Sequence, residues 1–195
     1  MYSTTNMRIL LVDNNDSFTW NIVDMLRTID GCVPEVVTYN ELAGKNIASY
    51  KRIIFSPGPG VPEEFPGMSD ILRAYGGETP LLGICLGHQT ICSYYGAGLL
   101  NLPQVVHGQS KNIKVGKPGI LFKDIPDNFV AGLYHSWQVD LDGFPEELDV
   151  LAHSEEGSIM AVAHKTLPVY GVQFHPESFL TSYGRKMLEN FIFLL

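Results

Sequence analysis

Residues Leu81 to Gln89 read LLGICLGHQ. An apolar run stops at Ile84, a lone cysteine follows between two glycines, and a helix can begin directly after it. Continuous rather than alternating apolar residues mark a strand covered on both faces, as in a parallel sheet packed between helices. The spacing predicts a strand over Pro80–Ile84 and a helix from about Gly87 to Tyr95. The same texture recurs upstream. RILLV (Arg8–Val12) reads as a buried strand closed by the polar turn DNNDS. Phe18, Ile22, Met25, Leu26 and Ile29 then repeat at helical spacing, with Asp16 or Ser17 as N-cap and Gly31 beyond the end. EVVTY (Glu35–Tyr39) and RIIFS (Arg52–Ser56) supply two more strands. After Gly98, short β-like runs follow closely (VVHG, NIKV, NFVAGLYHS, LDVLAHS, IMAVAH and VYGVQFH), which suggests antiparallel or mixed strands extending the sheet. A helix over Ser182–Leu195, with Met187, Leu188, Phe191 and Ile192 on one face, ends the chain. The expectation is a single α/β domain over residues 7–195, an open mixed, mostly parallel sheet flanked by helices. Residues 1–6 read as a short polar tail, with Met7 an alternative start.

A chain of 195 residues, 45% apolar and 17% charged, can bury a sizeable core. Its formal net charge of −8 argues against nucleic acid or an anionic membrane as partner. The first apolar run is too short for a signal-peptide core, and no run reaches the length of a membrane span. Cys32, Cys85 and Cys92 form no disulfide framework and match no metal spacing, so a reduced, cytoplasmic protein without its own metal is expected.

Gly83-Ile84-Cys85-Leu86-Gly87 has the form of a nucleophile elbow, with cysteine in place of serine. Such a turn exposes the sulfur at the strand's C-terminal edge, beside a helix N-terminus that favours thiolate. The Leu86 N–H would face the same space and can stabilise an oxyanion. A buried structural cysteine is the competing reading of this pentapeptide. A nucleophile needs a base, and the base an orienting group. Of six histidines, His175 stands at the end of VYGVQF and begins HPES, with Glu177 two residues on to fix its ring. Alone, that pair reads as a strand-capping histidine and a solvated glutamate; with Cys85 it forms a Cys-His-Glu set. SPGPG (Ser56–Gly60) follows another buried strand. If that strand neighbours the Cys85 strand in parallel, Gly58 can come close and donate a second oxyanion N–H.

GICLGHQ together with GVQFHPES resembles the class I, triad-type glutamine amidotransferases, over essentially the whole chain from Met7 to Leu195. The resemblance implies a flavodoxin-like fold. It also implies that Cys85 attacks the glutamine side-chain amide, that His175 passes a proton to the departing ammonia, and that Glu177 holds the imidazole. The glutamine pocket then falls on Gly58, Pro59, Gly60, Leu86, Gln89, Ser136 and Trp137. Trp137 stands where relatives commonly carry leucine, in a part of the pocket formed largely by backbone. DNNDSFTWN, SPGPGVP and VVHGQS are similar to the small subunits of anthranilate synthase and aminodeoxychorismate synthase. That similarity implies a separate synthase chain that binds chorismate and the Mg²⁺ such systems need, with no cofactor on this chain. It also implies docking on Asp13, Asn14, Asp16, Ser17, His107, Gly108 and Ser110. Two rivals stand beside this reading. One is an unrelated cysteine hydrolase, such as a peptidase, which has no need of Gln89 or HPES. The other is a catalytically silent regulatory subunit, against which the intact Cys85, His175 and Glu177 speak.

Overall fold

The computed structural model describes residues 6–195, so the expected tail lies almost wholly outside the described residues. The strands are β1 (Met7–Asp13), β2 (Cys32–Thr38), β3 (Arg52–Phe55), β4 (Leu81–Ile84), β5 (Leu99–Val115), β6 (Asn128–Val139), β7 (Leu148–Ser154), β8 (Ile159–His164) and β9 (Val169–Val172). The α-helices are α1 (Phe18–Arg27), α2 (Pro66–Tyr75), α3 (Leu86–Tyr94) and α4 (Gly184–Phe193). Among the described residues, the nine strands form one mixed sheet in the order β2-β1-β3-β4-β9-β8-β7-β5-β6. The first five in that order run parallel, and the rest join antiparallel.

The parallel strands are apolar throughout because both their faces are covered. Along β1, Ile9 and Leu11 point into a core shared with Ile22 and Leu26 of α1 and Leu188 and Phe191 of α4. Leu10 and Val12 point the other way, to Met68, Ile71 and Leu72 of α2 and Ile91 of α3. All four β1 residues are fully buried, each contributing about 1.5–3 kcal/mol through its side chain. Alternate strand residues thus supply opposite cores, and a one-residue slip would exchange them.

Two elements depart from expectation. The sequence pattern assigns no element between SPGPG and Pro80, and α2 lies there, with Pro66 in its first turn. The separate runs VVHG and NIKV belong to one long strand, β5, whose pairing with β6 shifts register between Asn101 and Val106 and again between His107 and Gln109. Pro103, which has no N–H for the ladder, lies in the first irregularity, and Gly108, at φ +64°, in the second. Ser17 occupies the N-cap position of α1 without a side-chain cap bond; the Asp16 carboxylate instead accepts from the Phe18 N–H at 2.8 Å. Among the described residues no helix is long and apolar enough to cross a membrane.

Candidate active site

The parallel register brings the C-terminal ends of β1, β3, β4 and β9 to one edge, with Val12 opposite Phe55, Phe55 opposite Gly83, and Ile84 opposite Val172. Ligand sites in open α/β sheets sit outside this edge. Four turns therefore converge there: Asn14–Ser17, Ser56–Gly60, Cys85, and Gln173–Glu177.

Cys85 joins β4 to α3 at φ +52° and ψ −101°, a region that costs a non-glycine residue about 1–3 kcal/mol. The bond from its N–H to Val172 O (2.8 Å) and the bond its carbonyl accepts from the Gln89 N–H (3.0 Å) hold it there. The flanking glycines are required by close approach. A Cβ on Gly83 would overlap the Gly87 carbonyl, and one on Gly87 would lie 2.6 Å from Phe55 Cβ and 2.7 Å from Phe55 O. Leu86 starts α3, so its N–H has no intrahelical acceptor.

His175 Nδ1 donates to Glu177 Oε1 at 2.7 Å, with both residues buried. That bond fixes the tautomer and leaves Nε2, which has no hydrogen-bond partner among the described residues, for chemistry. Phe18 and Tyr134 hold the imidazole, their ring centroids 5.0 and 4.9 Å from it, both edge-on. The His175 carbonyl accepts from Thr181 Oγ1 at 2.6 Å, and its N–H donates to Gly132 O at 3.1 Å. Burial opposes charge on the ring. The Glu177 carboxylate and the adjacent Cys85 outweigh it together, and the imidazole is raised to about 10. The other two buried histidines behave oppositely. Burial lowers His135 and brings His88 down to about 3, so both are neutral at pH 7. Burial pushes the Cys92 thiol up, which makes it an inert core residue.

A cavity of about 600 Å³ opens on the sulfur. Of the residues expected to act or to bind glutamine, Cys85, His175, Gly58, Pro59, Gly60, Gln89, Ser136 and Trp137 line it. Glu177 stands behind His175. The Leu86 side chain packs in the α2–α3 core and faces away from the cavity. Gly58 lies against Leu86 and Asn14, where a Cβ would sit 2.5 Å from Leu86 Cδ2. Of the expected docking residues, Asp16, Ser17 and His107 line the same cavity. Asp13 is engaged within its turn, accepting from Thr19 Oγ1 at 2.7 Å, while Gly108 and Ser110 lie on β5, next to the edge strand β6. Asn14 is a correction: it is fully buried, and its Nδ2 donates to Ser56 O at 2.9 Å, bracing two turns instead of facing a partner. Sequence reasoning missed Phe18 and Tyr134 as walls around the histidine, and Gln173, whose Nε2 lies 3.7 Å from the sulfur. Gln173 carried a signal, since it stands two residues before His175.

A strained thiol at a helix start, beside a buried and oriented imidazole, can form a thioester and release it to water. The fold and site thus define a cysteine hydrolase built on an α/β sheet. The glutamine amidotransferase class-I family profile matches residues 10–195. The chain belongs to that family, and it is a glutamine-hydrolysing amidotransferase. It is 42% identical to anthranilate synthase component 2 of Saccharolobus solfataricus over 190 residues, 94% of this chain and 96% of that protein. It is 38% identical to aminodeoxychorismate synthase component 2 of Klebsiella aerogenes over 186 residues, 94% of this chain and 98% of that one. A solved glutamine amidotransferase of Thermotoga maritima shares the fold, with a TM-score of 0.72 at 18% identity, covering 96% of this chain and 81% of that one.

Proposed function

We propose that this chain is the glutaminase subunit of a chorismate-using synthase, delivering ammonia to a partner chain that makes anthranilate. The same role in an aminodeoxychorismate synthase, or in both, is the second reading, favoured by the likeness to the Klebsiella aerogenes protein. The observation that carries the proposal is the meeting, in one cavity, of a strained Cys85 with His175 and its buried Glu177.

The reaction follows from these groups. With the Cys85 proton on His175 Nε2, the sulfur attacks the side-chain carbonyl carbon of glutamine. The oxyanion that forms is held by the N–H groups of Leu86 and Gly58. Imidazolium then gives its proton to the departing nitrogen, ammonia leaves, and a γ-glutamyl thioester remains. Neutral His175 takes a proton from water, the hydroxide adds to the thioester, and collapse expels the sulfur and yields glutamate. Glu177 holds the ring throughout and stabilises its charged form. Gln89, Ser136 and Trp137 form the wall against which glutamine lies.

The partner supplies the chorismate site and the Mg²⁺. An acidic chain is ill suited to hold a dianion. Three free thiols among the described residues suit a reduced cytoplasm. Docking covers the cavity edge at Asp16, Ser17 and His107, and it completes the active geometry. The Cys85 sulfur also contacts the Tyr134 carbonyl at 3.9 Å, on the wall that His107 and Phe18 share at this edge. The test is glutamine hydrolysis by the purified chain with and without its synthase, chorismate present. A rate that rises on adding the synthase is expected. Equal rates would leave a stand-alone glutaminase.

A further inference from the structure

We propose that Gln173 is a further catalytic residue, whose side-chain amide donates a hydrogen bond to the Cys85 sulfur and stabilises it as thiolate, both as attacking group and as leaving group. The proposal rests on the reading of Cys85 as nucleophile.

The direction of this bond follows from its neighbours. The Trp137 carbonyl can only accept, so the Gln89 group 2.8 Å from it is the NH₂. That same NH₂ lies 3.2 Å from the Gln173 side chain, which must therefore present its carbonyl oxygen there. The remaining end of Gln173 is then its NH₂, 3.7 Å from Cys85 Sγ, within the range for a bond to sulfur. Two amides thus form a chain from the pocket wall to the nucleophile, and neither can flip without losing a bond.

The backbone fixes this placement. Gln173 follows β9, and its N–H donates to Met160 O at 2.9 Å. Phe174, the next residue, turns into the core against Phe129, with ring centroids 5.6 Å apart. Gln173 and His175 both turn to the cavity side. Gln173 is fully buried, so no water competes for its N–H. The two donors near the sulfur differ in kind. His175 loses its proton to ammonia midway through the cycle, whereas an amide N–H cannot. Gln173 therefore adds a permanent donor beside the imidazolium whenever the sulfur is negative, as it attacks and as it leaves.

The test uses Gln173→Leu, which removes the donor, and Gln173→Glu, which keeps the shape and the acceptor for Gln89 but sets a carboxylate beside the sulfur. The readout is the rate of Cys85 alkylation by iodoacetamide against pH, with the labelled site assigned by peptide mass. The midpoint of that profile is expected to rise by about one pH unit in Gln173→Leu and further in Gln173→Glu. In the synthase complex, kcat for glutamine falls about tenfold while KM stays within about threefold. If Gln173→Leu does not fold, Gln173→Glu carries the test alone. Folded variants whose profiles superimpose on the native one would overturn the Gln173 assignment and leave the nucleophile reading intact. A native Cys85 that iodoacetamide does not reach would overturn both.

Discussion

Glu177 Oε1 stands 2.7 Å from His175 Nδ1, and neither side chain exposes more than 2% of its surface. A carboxylate so placed favours the charged ring, and with the neighbouring Cys85 it carries His175 up to about 10 against the effect of burial. The sign for stability follows. A histidine whose folded value lies above its unfolded value of about 6.5 contributes fully below that pH and loses its contribution as pH rises through about 10. Urea unfolding at pH 6.5, 8 and 9.5 should therefore show stability falling with pH. In Glu177→Gln the fall should be smaller, because the charged ring has lost its partner. The same substitution should lower glutamine turnover at least tenfold, yet less than His175→Ala, as the orienting member of such a set does. An unchanged pH dependence of stability in Glu177→Gln would separate the pair from the charge on the ring.

Gly184, the first residue of α4, packs on the backbone between His175 and Glu177, and a Cβ there would overlap the Pro176 carbonyl. Neither backbone can yield cheaply. Gly184→Ala is expected to cost about 1–3 kcal/mol of stability and to displace the HPES turn. Glutamine-dependent synthesis should drop more than ammonia-dependent synthesis measured on the same complex. Equal losses would mean that the strain spreads through the fold instead of settling on the turn.

Asn14 and Asp16 lie two residues apart and should behave differently. Asn14→Ala removes the bond to Ser56 O and leaves that buried carbonyl unpaired, for a loss of about 1–3 kcal/mol in urea unfolding. Asp16→Lys loses one bond to the Phe18 N–H, at a cost of about 1 kcal/mol. Its main effect should fall on assembly with the synthase, read by co-sedimentation, since Asp16 lines the cavity edge. An Asp16→Lys chain that assembles like the native one would remove this edge from the interface.

The strands β1, β3 and β4 were legible because burial on both faces leaves nothing but apolar residues in them. The Cys85 elbow was legible because two glycines bracket it, and the close approaches at Gly83 and Gly87 are the physical need behind that pattern. Helix α2 was not legible. Met68, Ile71, Leu72 and Tyr75 do keep helical spacing, but Pro62, Pro66 and Gly67 directly precede the run and read as loop. The length of β5 was hidden by Pro103 and by its mostly exposed side chains, which leave no apolar pattern. Phe18 and Tyr134 reach the site through tertiary pairing alone. Tyr134 arrives because β6 pairs with β5 and the Gly132 carbonyl receives the His175 N–H, a contact between residues 43 apart that no local spacing encodes.

The most direct test of the account is Cys85→Ser in the assembled complex, with product formation from chorismate followed first with glutamine and then with ammonium salt as nitrogen source. Glutamine-dependent synthesis should fall by at least a hundredfold, roughly the loss expected when a nucleophile is removed from a triad. Ammonia-dependent synthesis should stay near the native rate, because the partner carries the chorismate chemistry. Loss of both activities from a folded, intact complex would contradict the division of labour, and retention of glutamine-dependent synthesis would contradict the role of Cys85.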